Sequence, residues 1–148
     1  MPIQNLTQFL PPFPGNLESL GLLCLRLVWG IVLLFYARPM LKNPLSWMDR
    51  GKPSGIPGLL QGMAVMTILG GGLAMILGLL TPLAGLGLAV AMAVALLLHL
   101  KEGVPLMKER PDAPGKSYEA SLVYLAIALL FIFVGAGRFS LDFLLWGH

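Results

Sequence analysis

An arginine inside an apolar segment is the first residue in this sequence that suggests chemistry. Arg26 is followed by Trp29 and Tyr36 at offsets of three and ten residues. On a helix these offsets place the three side chains along one stripe. Ionisable side chains within membrane helices mark functional sites, so we interpret Arg26 as a charge that faces a bundle interior and binds an anionic or quinone head group. The alternative is an arginine that extends to the membrane surface and meets Glu18 or Asp142.

A second candidate group combines a histidine, a tyrosine and a glutamate at the ends of two apolar segments. His99 closes one segment, and Tyr118 and Glu119 open the next. Histidine titrates near neutral pH and glutamate can accept its proton, so this group is suited to binding a quinone carbonyl and passing protons. The alternative is a cluster that caps the helices and anchors them at the membrane interface. The other histidine is the terminal His148, so one chain offers no pair of haem ligands, and no spacing supports a metal site.

The composition indicates the medium in which these residues lie. The chain has 148 residues, of which 57% are hydrophobic and 11% charged, and its mean hydropathy is +0.82. Soluble domains carry roughly 25% charged residues, so the sequence predicts an integral membrane protein. Cys24 is the single cysteine, which excludes an internal disulfide and a Cys-x-x-Cys redox pair. The net charge of +3 comes from dispersed residues and gives no nucleic-acid signal.

Four apolar segments predict an all-α, integral membrane four-helix bundle that occupies residues 1–148 as one domain. The expected helices lie at about 17–37, 59–80, 83–100 and 117–137. About 20 residues at 1.5 Å each span the ~30 Å hydrocarbon core. Small residues four apart predict stripes where helix backbones approach closely: Gly70, Ala74 and Gly78 in the second helix, and Gly85, Ala89 and Ala93 in the third.

The distribution of basic residues predicts the orientation in the membrane. Four spans put both termini on one side and the loops 38–58 and 101–116 on the other. Those loops carry eight lysines and arginines, whereas the opposite side has Arg138. The positive-inside rule therefore predicts cytoplasmic loops and external termini in the cell membrane.

Several segments resemble the DoxX family of small four-helix membrane proteins. The first helix contains Leu-Arg-Leu-Val-Trp-Gly at 25–30, the second contains Gly70-Gly71-Gly72 and ends in Leu-Gly-Leu-Leu-Thr at 77–81, and His99 closes the third. The last helix begins near Gly115 and Tyr118-Glu119 and leaves through Gly-Ala-Gly-Arg-Phe-Ser-Leu-Asp at 135–142. One departure is Thr67, which stands where members often place a glutamate.

The resemblance implies two functions of different kinds. The family takes its name from a subunit of an archaeal thiosulfate:quinone oxidoreductase, which implies an accessory subunit of a quinone-linked redox complex that is not catalytic alone. The candidate ligand-binding residues are Arg26, Trp29, Tyr36, Thr67, His99, Tyr118 and Glu119. The alternative is a non-catalytic membrane scaffold or assembly factor that binds other subunits through its small-residue faces. The same faces are compatible with a homo-oligomer. A small transporter is the weaker alternative, since four helices show no inverted repeat and little polar lining.

Overall fold

The computed structural model describes residues 15–49, 53–110, 112 and 114–147. Within these ranges the prediction of an all-α fold is confirmed, since the chain forms helices and turns and no strand. The helices are α1 (Gly15–Ala37), α2 (Gly58–Leu77), α3 (Thr81–Lys101), α4 (Glu119–Val134) and α5 (Leu141–Trp146), with a 3-10 turn at Met40–Lys42. The expectations for residues 1–14, Arg50, Lys52 and His148 fall outside the described residues.

Two glycines set helix ends that differ from the predicted ones. Gly78 has φ 66° and ψ 40°, a left-handed conformation that ends α2 three residues before the predicted Leu80. Leu80 is also left-handed, with φ 48°, and Thr81 then begins α3 two residues earlier than predicted. Gly135, with φ 76°, ends α4 at Val134, so this helix has 16 residues and a length of about 24 Å.

Consecutive helices pack antiparallel, and close approaches at glycine fix their order. Gly72 of α2 lies against the Gly30 carbonyl of α1, whereas the neighbouring Gly71 lies against Leu88 of α3. Gly85 of α3 packs on the backbone of α4. The predicted close approach at Gly70 is wrong, because a Cβ placed there would meet nothing within 4 Å. The packing stripe of α2 is therefore shifted by one to two residues from the predicted one.

The outer surface of the bundle is apolar. Among the described residues, three helices are long and apolar enough to cross a membrane: Leu17–Ala37, Gly58–Leu77 and Thr81–Lys101, with α4 as a shorter apolar helix. Only 22–33% of the residues in the most apolar window of each long helix are buried inside the bundle. Large side chains such as Phe133, which is 84% exposed, would therefore face water if lipid did not cover them. The protein is a membrane helical bundle.

The loop after α1 is held onto α2 by one amide side chain. Gln61 is 1% exposed; its Nε2 donates to Asp49 Oδ2 at 3.1 Å and to the Ile56 carbonyl, and its Oε1 accepts from the Met48 N–H at 3.0 Å. Hydrogen bonds from the Ser54 side chain, the Ser54 N–H and Gln61 lower the pKa of the Asp49 carboxyl. Turns occupy residues 44–48 of this loop.

Candidate functional site

Arg26 lies inside the bundle, midway along α1. Its side chain is fully buried, and its Nη2 donates a hydrogen bond to the Phe139 carbonyl, in the segment after α4. Its Nη1 lies so close to Gly78 that a Cβ there would overlap it, and the same Cβ would approach Ser140. The guanidinium therefore joins α1 to the α2–α3 turn and to the segment that leaves α4. The electrostatic interaction with Asp142 that the alternative named is present, at a fully buried guanidinium.

Asp142 fixes the turn beside this guanidinium. Its carboxylate accepts hydrogen bonds from the N–H groups of Leu80 and Thr81, at 2.5 and 2.7 Å, and its own N–H donates to the Gly78 carbonyl at 2.8 Å. A carboxylate at the start of α3 is also favoured by the helix dipole. Asp142 is 7% exposed and interacts electrostatically with Arg26. We refer to Arg26, Gly78, Thr81, Ser140 and Asp142 as the Arg26 cluster.

Several buried polar atoms at this end of the bundle have no hydrogen-bond partner. They are Arg26 Nε, Arg26 Nη1, Trp29 Nε1 and Thr81 Oγ1. Arg26 and Trp29 are one helical turn apart on the same face of α1, and Thr81 is tied to the cluster through Asp142. Buried polar groups are normally satisfied, and an unpaired one costs about 1–3 kcal/mol. Three N–H donor atoms and a hydroxyl here are thus available to an oxygen acceptor.

An aromatic seam, formed by Trp29 of α1 with Tyr124 and Phe131 of α4, lies beside the cluster. Trp29 stacks on Phe131 with ring centroids 5.9 Å apart and planes at 12°, and its ring centroid is 6.4 Å from that of Tyr124. The backbones of α1 and α4 approach each other much less than those of consecutive helices. Side chains alone therefore separate this part of the core from the outside, and flat apolar surfaces line it.

The structure separates the candidate residues into two groups at opposite ends of the bundle. His99 lies 18 positions after Thr81 on α3, which corresponds to about 27 Å along the helix. Tyr118 and Glu119 begin α4 at that same far end. A head group held at the α2–α3 turn therefore does not also reach the His99 end of the bundle.

The far-end residues are engaged mainly through their backbone. The Tyr118 and Glu119 N–H groups donate to the carbonyls of Pro105 and Leu106, at 3.2 and 3.1 Å, and the His99 carbonyl accepts from Val104. These bonds fold the loop 102–118 back onto the helix ends. No hydrogen bond or ion pair joins the described side chains of His99 and Glu119, and His99 Nδ1 is buried without a partner.

The remaining two candidates lie apart from the Arg26 cluster. Tyr36, near the end of α1, is 45% exposed, so the stripe turns outward there. Thr67 is half-buried at the contact of α2 with α3, where its methyl group would be 3.3 Å from a Cβ at Gly87. Neither side chain reaches the unpartnered donors of Arg26 and Trp29.

A surface groove of about 530 Å³ is a separate feature of the loop 102–118. Its lining includes Glu102, Glu109, Lys108 and Lys116, and Lys116 pairs with Glu102 at 3.4 Å. Charges of both signs are mixed there, so the groove favours neither anions nor cations. In the described part of the chain, no group of three His, Cys, Asp or Glu residues could hold a metal ion.

Sequence reasoning did not assign the roles of Thr81, Tyr124 and Phe131 in this site. Tyr124 and Phe131 are seven residues apart, so they share a face of α4, and that spacing is readable from the sequence. The link between Asp142 and the α2–α3 turn joins residues about 60 positions apart and leaves no local pattern. The one sequence signal for this link is the presence of a carboxylate, Asp142, after the last long apolar segment.

Comparison with known proteins is consistent with this architecture. The family model described as DoxX matches residues 21–100, which is more than half of the chain and covers α2, nearly all of α3 and most of α1. No curated protein and no solved structure matches the chain. The matched region includes Arg26, Trp29 and the α2–α3 turn with Thr81. On this match the chain belongs to the DoxX family.

Proposed function

We propose that this protein is a small membrane subunit of a quinone-linked redox complex and that a quinone head group binds beside Arg26. The observation that carries the proposal is the fully buried guanidinium whose Nε and Nη1 have no partner. A buried charge with free donors is costly in a membrane interior unless something accepts those hydrogen bonds. A ligand that supplies acceptor oxygens removes that cost.

The residues present fit a quinone. Its carbonyl oxygens accept hydrogen bonds, which Arg26 and the Trp29 indole N–H can donate. Its flat ring can pack on the aromatic seam, in which Trp29 and Phe131 already stack on each other with planes 12° apart. The lipid tail can leave between α1 and α4, where only side chains close the bundle. Bound there, a quinone would supply a carrier of electrons and protons in the membrane.

The chain's own residues bind and orient the head group in this proposal. Arginine stays protonated in proteins, so Arg26 holds an oxygen without delivering a proton. The Thr81 hydroxyl both donates and accepts hydrogen bonds, so it can add one to a bound oxygen without giving up its proton. The single cysteine, Cys24, gives no redox pair, and electrons therefore arrive from a partner protein. The chain is accessory to that partner.

Retention of decylubiquinone tests the proposal. The chain in lipid nanodiscs is compared with empty nanodiscs, and Arg26→Gln is compared with Arg38→Gln. Arg38 is a matched control because it is exposed just beyond α1, with its guanidinium 4.8 Å from the centroid of the Phe35 ring. We expect Arg26→Gln to lose at least about tenfold of the retention, equivalent to about 1.4 kcal/mol, and Arg38→Gln to keep it.

Retention by the wild-type chain no greater than that of empty nanodiscs overturns the proposal. If Arg26→Gln does not fold, Trp29→Phe replaces it, because phenylalanine keeps an aromatic ring beside Phe131 and removes only the indole donor. Equal losses from Arg26→Gln and Arg38→Gln also contradict a site at Arg26.

A scaffold is the alternative function, and the open position at Gly70 favours it. Gly70 faces outward on α2, and a Cβ there would meet no atom of the described residues within 4 Å, so a helix of another subunit can approach there. Gly70→Leu then abolishes complex formation, while His99→Ala has no effect. Ala89→Leu is unsuitable as a test, because Ala89 is 6% exposed and a leucine there disturbs the chain's own core.

The proposed orientation has the loops 38–58 and 101–116 in the cytoplasm and both termini outside. Antiparallel packing brings the two loops to one end, where the described basic residues are Arg38, Lys42, Lys101, Lys108, Arg110 and Lys116. Reporter fusions at residue 112 and after residue 147 test it. An active cytoplasmic reporter at the C-terminus contradicts this orientation.

A further inference from the structure

We infer that the Arg26 cluster selects a neutral carbonyl ligand and rejects a carboxylate or phosphate. The inference deepens the proposed function, because it concerns the same site and names the chemical class of its ligand. A buried arginine by itself would be expected to attract an anion. The groups around Arg26 change that expectation.

The charge of Arg26 is already compensated inside the protein. Asp142 and Arg26 both lie against the turn at Gly78: the Asp142 N–H donates to the Gly78 carbonyl, its carboxylate accepts from Leu80 and Thr81, and Arg26 Nη1 lies where a Gly78 Cβ would stand. Asp142 is the carboxylate that acts on Arg26 electrostatically. One positive and one negative charge therefore occupy the cluster, and a bound anion would leave it with a net negative charge.

The partial charges of the helix ends do not change the net charge of the Arg26 cluster. The C-terminus of α2 at Gly78 carries about half a negative charge, and the N-terminus of α3 at Thr81 carries about half a positive charge. These two ends are adjacent in the same turn, so their contributions cancel. The α3 N-terminus is also occupied, because its first N–H groups donate to Asp142.

Other described charged groups are too exposed or too remote to compensate an anion. Arg138, in the same segment as Phe139, is exposed, and Glu18 in the first turn of α1 is exposed as well. Glu119 lies at the far end of the bundle. An anion at Arg26 would therefore stay uncompensated in a medium of low dielectric constant, where one unpaired charge is unfavourable.

The hydrogen-bonding groups that remain suit an uncharged acceptor. Arg26 Nε, Arg26 Nη1 and Trp29 Nε1 are donors, and each lacks a partner. A carbonyl oxygen accepts from such donors with its two lone pairs and brings no charge. Asp142 does not satisfy these donors: its two oxygens accept from Leu80 and Thr81, and the Arg26 Nε and Nη1 atoms stay without a partner.

A pair of probes with similar alkyl chains tests the inference. Methyl nonyl ketone presents a neutral carbonyl, and decanoate presents a carboxylate, each in labelled form. Retention by the wild-type chain in nanodiscs is measured at neutral pH after subtraction of empty nanodiscs. We expect the ketone to be retained at least about tenfold more than decanoate, the size of one charge interaction of about 1.4 kcal/mol.

In the Asp142→Asn variant we expect the preference for the ketone over decanoate to be reversed. Removing the internal negative charge leaves Arg26 uncompensated, so decanoate retention rises about tenfold or more relative to the wild type and exceeds that of the ketone. Asp112→Asn, a change of the same charge at an exposed loop position, leaves the preference of the wild type unchanged. The comparison in the wild-type chain needs no variant, so it stands even if Asp142→Asn does not fold.

The outcomes separate this inference from the proposed function. Retention of decanoate above the ketone by the wild type overturns the inference, as does equal retention of both or no retention of either. Retention of the ketone but not of decylubiquinone supports the neutral-carbonyl site and removes the quinone function.

Discussion

Replacement of Asp142 should destabilise the bundle far more than its position near the end of the chain suggests. In Asp142→Ala, the N–H groups of Leu80 and Thr81 lose their acceptor, and the buried guanidinium of Arg26 loses its counter-charge. Each of the two hydrogen bonds to this charged group contributes about 1.5–3 kcal/mol, and the electrostatic interaction with Arg26, which makes no direct ion pair with Asp142, adds less. These contributions overlap, so we expect a loss of about 4 kcal/mol in the free energy of unfolding.

Asp142→Asn should lose about half as much, about 2 kcal/mol, because the amide keeps one acceptor oxygen but not the charge. The assay is reversible unfolding in mixed micelles by SDS, followed by far-ultraviolet circular dichroism. Asp112→Asn is the control, since Asp112 is exposed, and its expected effect is within about 0.5 kcal/mol.

A double-mutant cycle isolates the interaction between the two charges. Arg26→Gln and Asp142→Asn, alone and together, should give a coupling energy of about 1–3 kcal/mol. An effect of Asp142→Asn no larger than that of Asp112→Asn, with a coupling near zero, would refute the view that Asp142 compensates Arg26 and holds the α2–α3 turn.

Three further predictions concern other parts of the bundle. Gly72→Leu should lower the free energy of unfolding in micelles by at least about 2 kcal/mol, because a side chain there meets the Gly30 carbonyl. Gly70→Leu should change that free energy by less than about 0.5 kcal/mol. Equal effects of the two substitutions contradict the packing of α2 on α1. The pKa of Asp49 is lowered by its hydrogen bonds, so its contribution to loop stability is complete above the usual carboxyl pKa and is lost as pH falls through the lowered value. Protection of the loop after α1 from protease should fall over the same pH range. Asp49→Asn should remove this dependence of protease protection on pH. Trp29→Phe should keep the stability within about 1 kcal/mol and reduce decylubiquinone retention about fivefold, since one hydrogen bond contributes about 1 kcal/mol; unchanged retention excludes the indole donor.

The helical architecture was predictable because it follows from the solvent. Long apolar segments must satisfy their backbone hydrogen bonds internally in lipid, and the three long helices begin and end within a few residues of the predicted positions. The interior position of Trp29 follows from the same periodicity. Helix ends were less predictable at Gly78, where a left-handed glycine ends α2 inside an unbroken apolar run.

The arrangement of the site was predictable only in part. The Arg26 stripe is a local pattern, so the sequence indicates it. The partners of Arg26 come from the α2–α3 turn and from Phe139 and Asp142, and contacts so distant along the chain leave no periodic signal. The choice between Gly70 and Gly72 as the packing glycine also depends on helix rotation by about 100° per residue, which composition does not fix.

Photolabelling of the wild-type chain with an azido-quinone, followed by peptide mass spectrometry, tests the central claim most directly. We expect labels on α1 between Arg26 and Leu33 and on α4 between Tyr124 and Phe131, with a decrease when unlabelled decylubiquinone competes. Competable labels confined to the far end, around His99 and Glu119, would contradict a head-group site at Arg26.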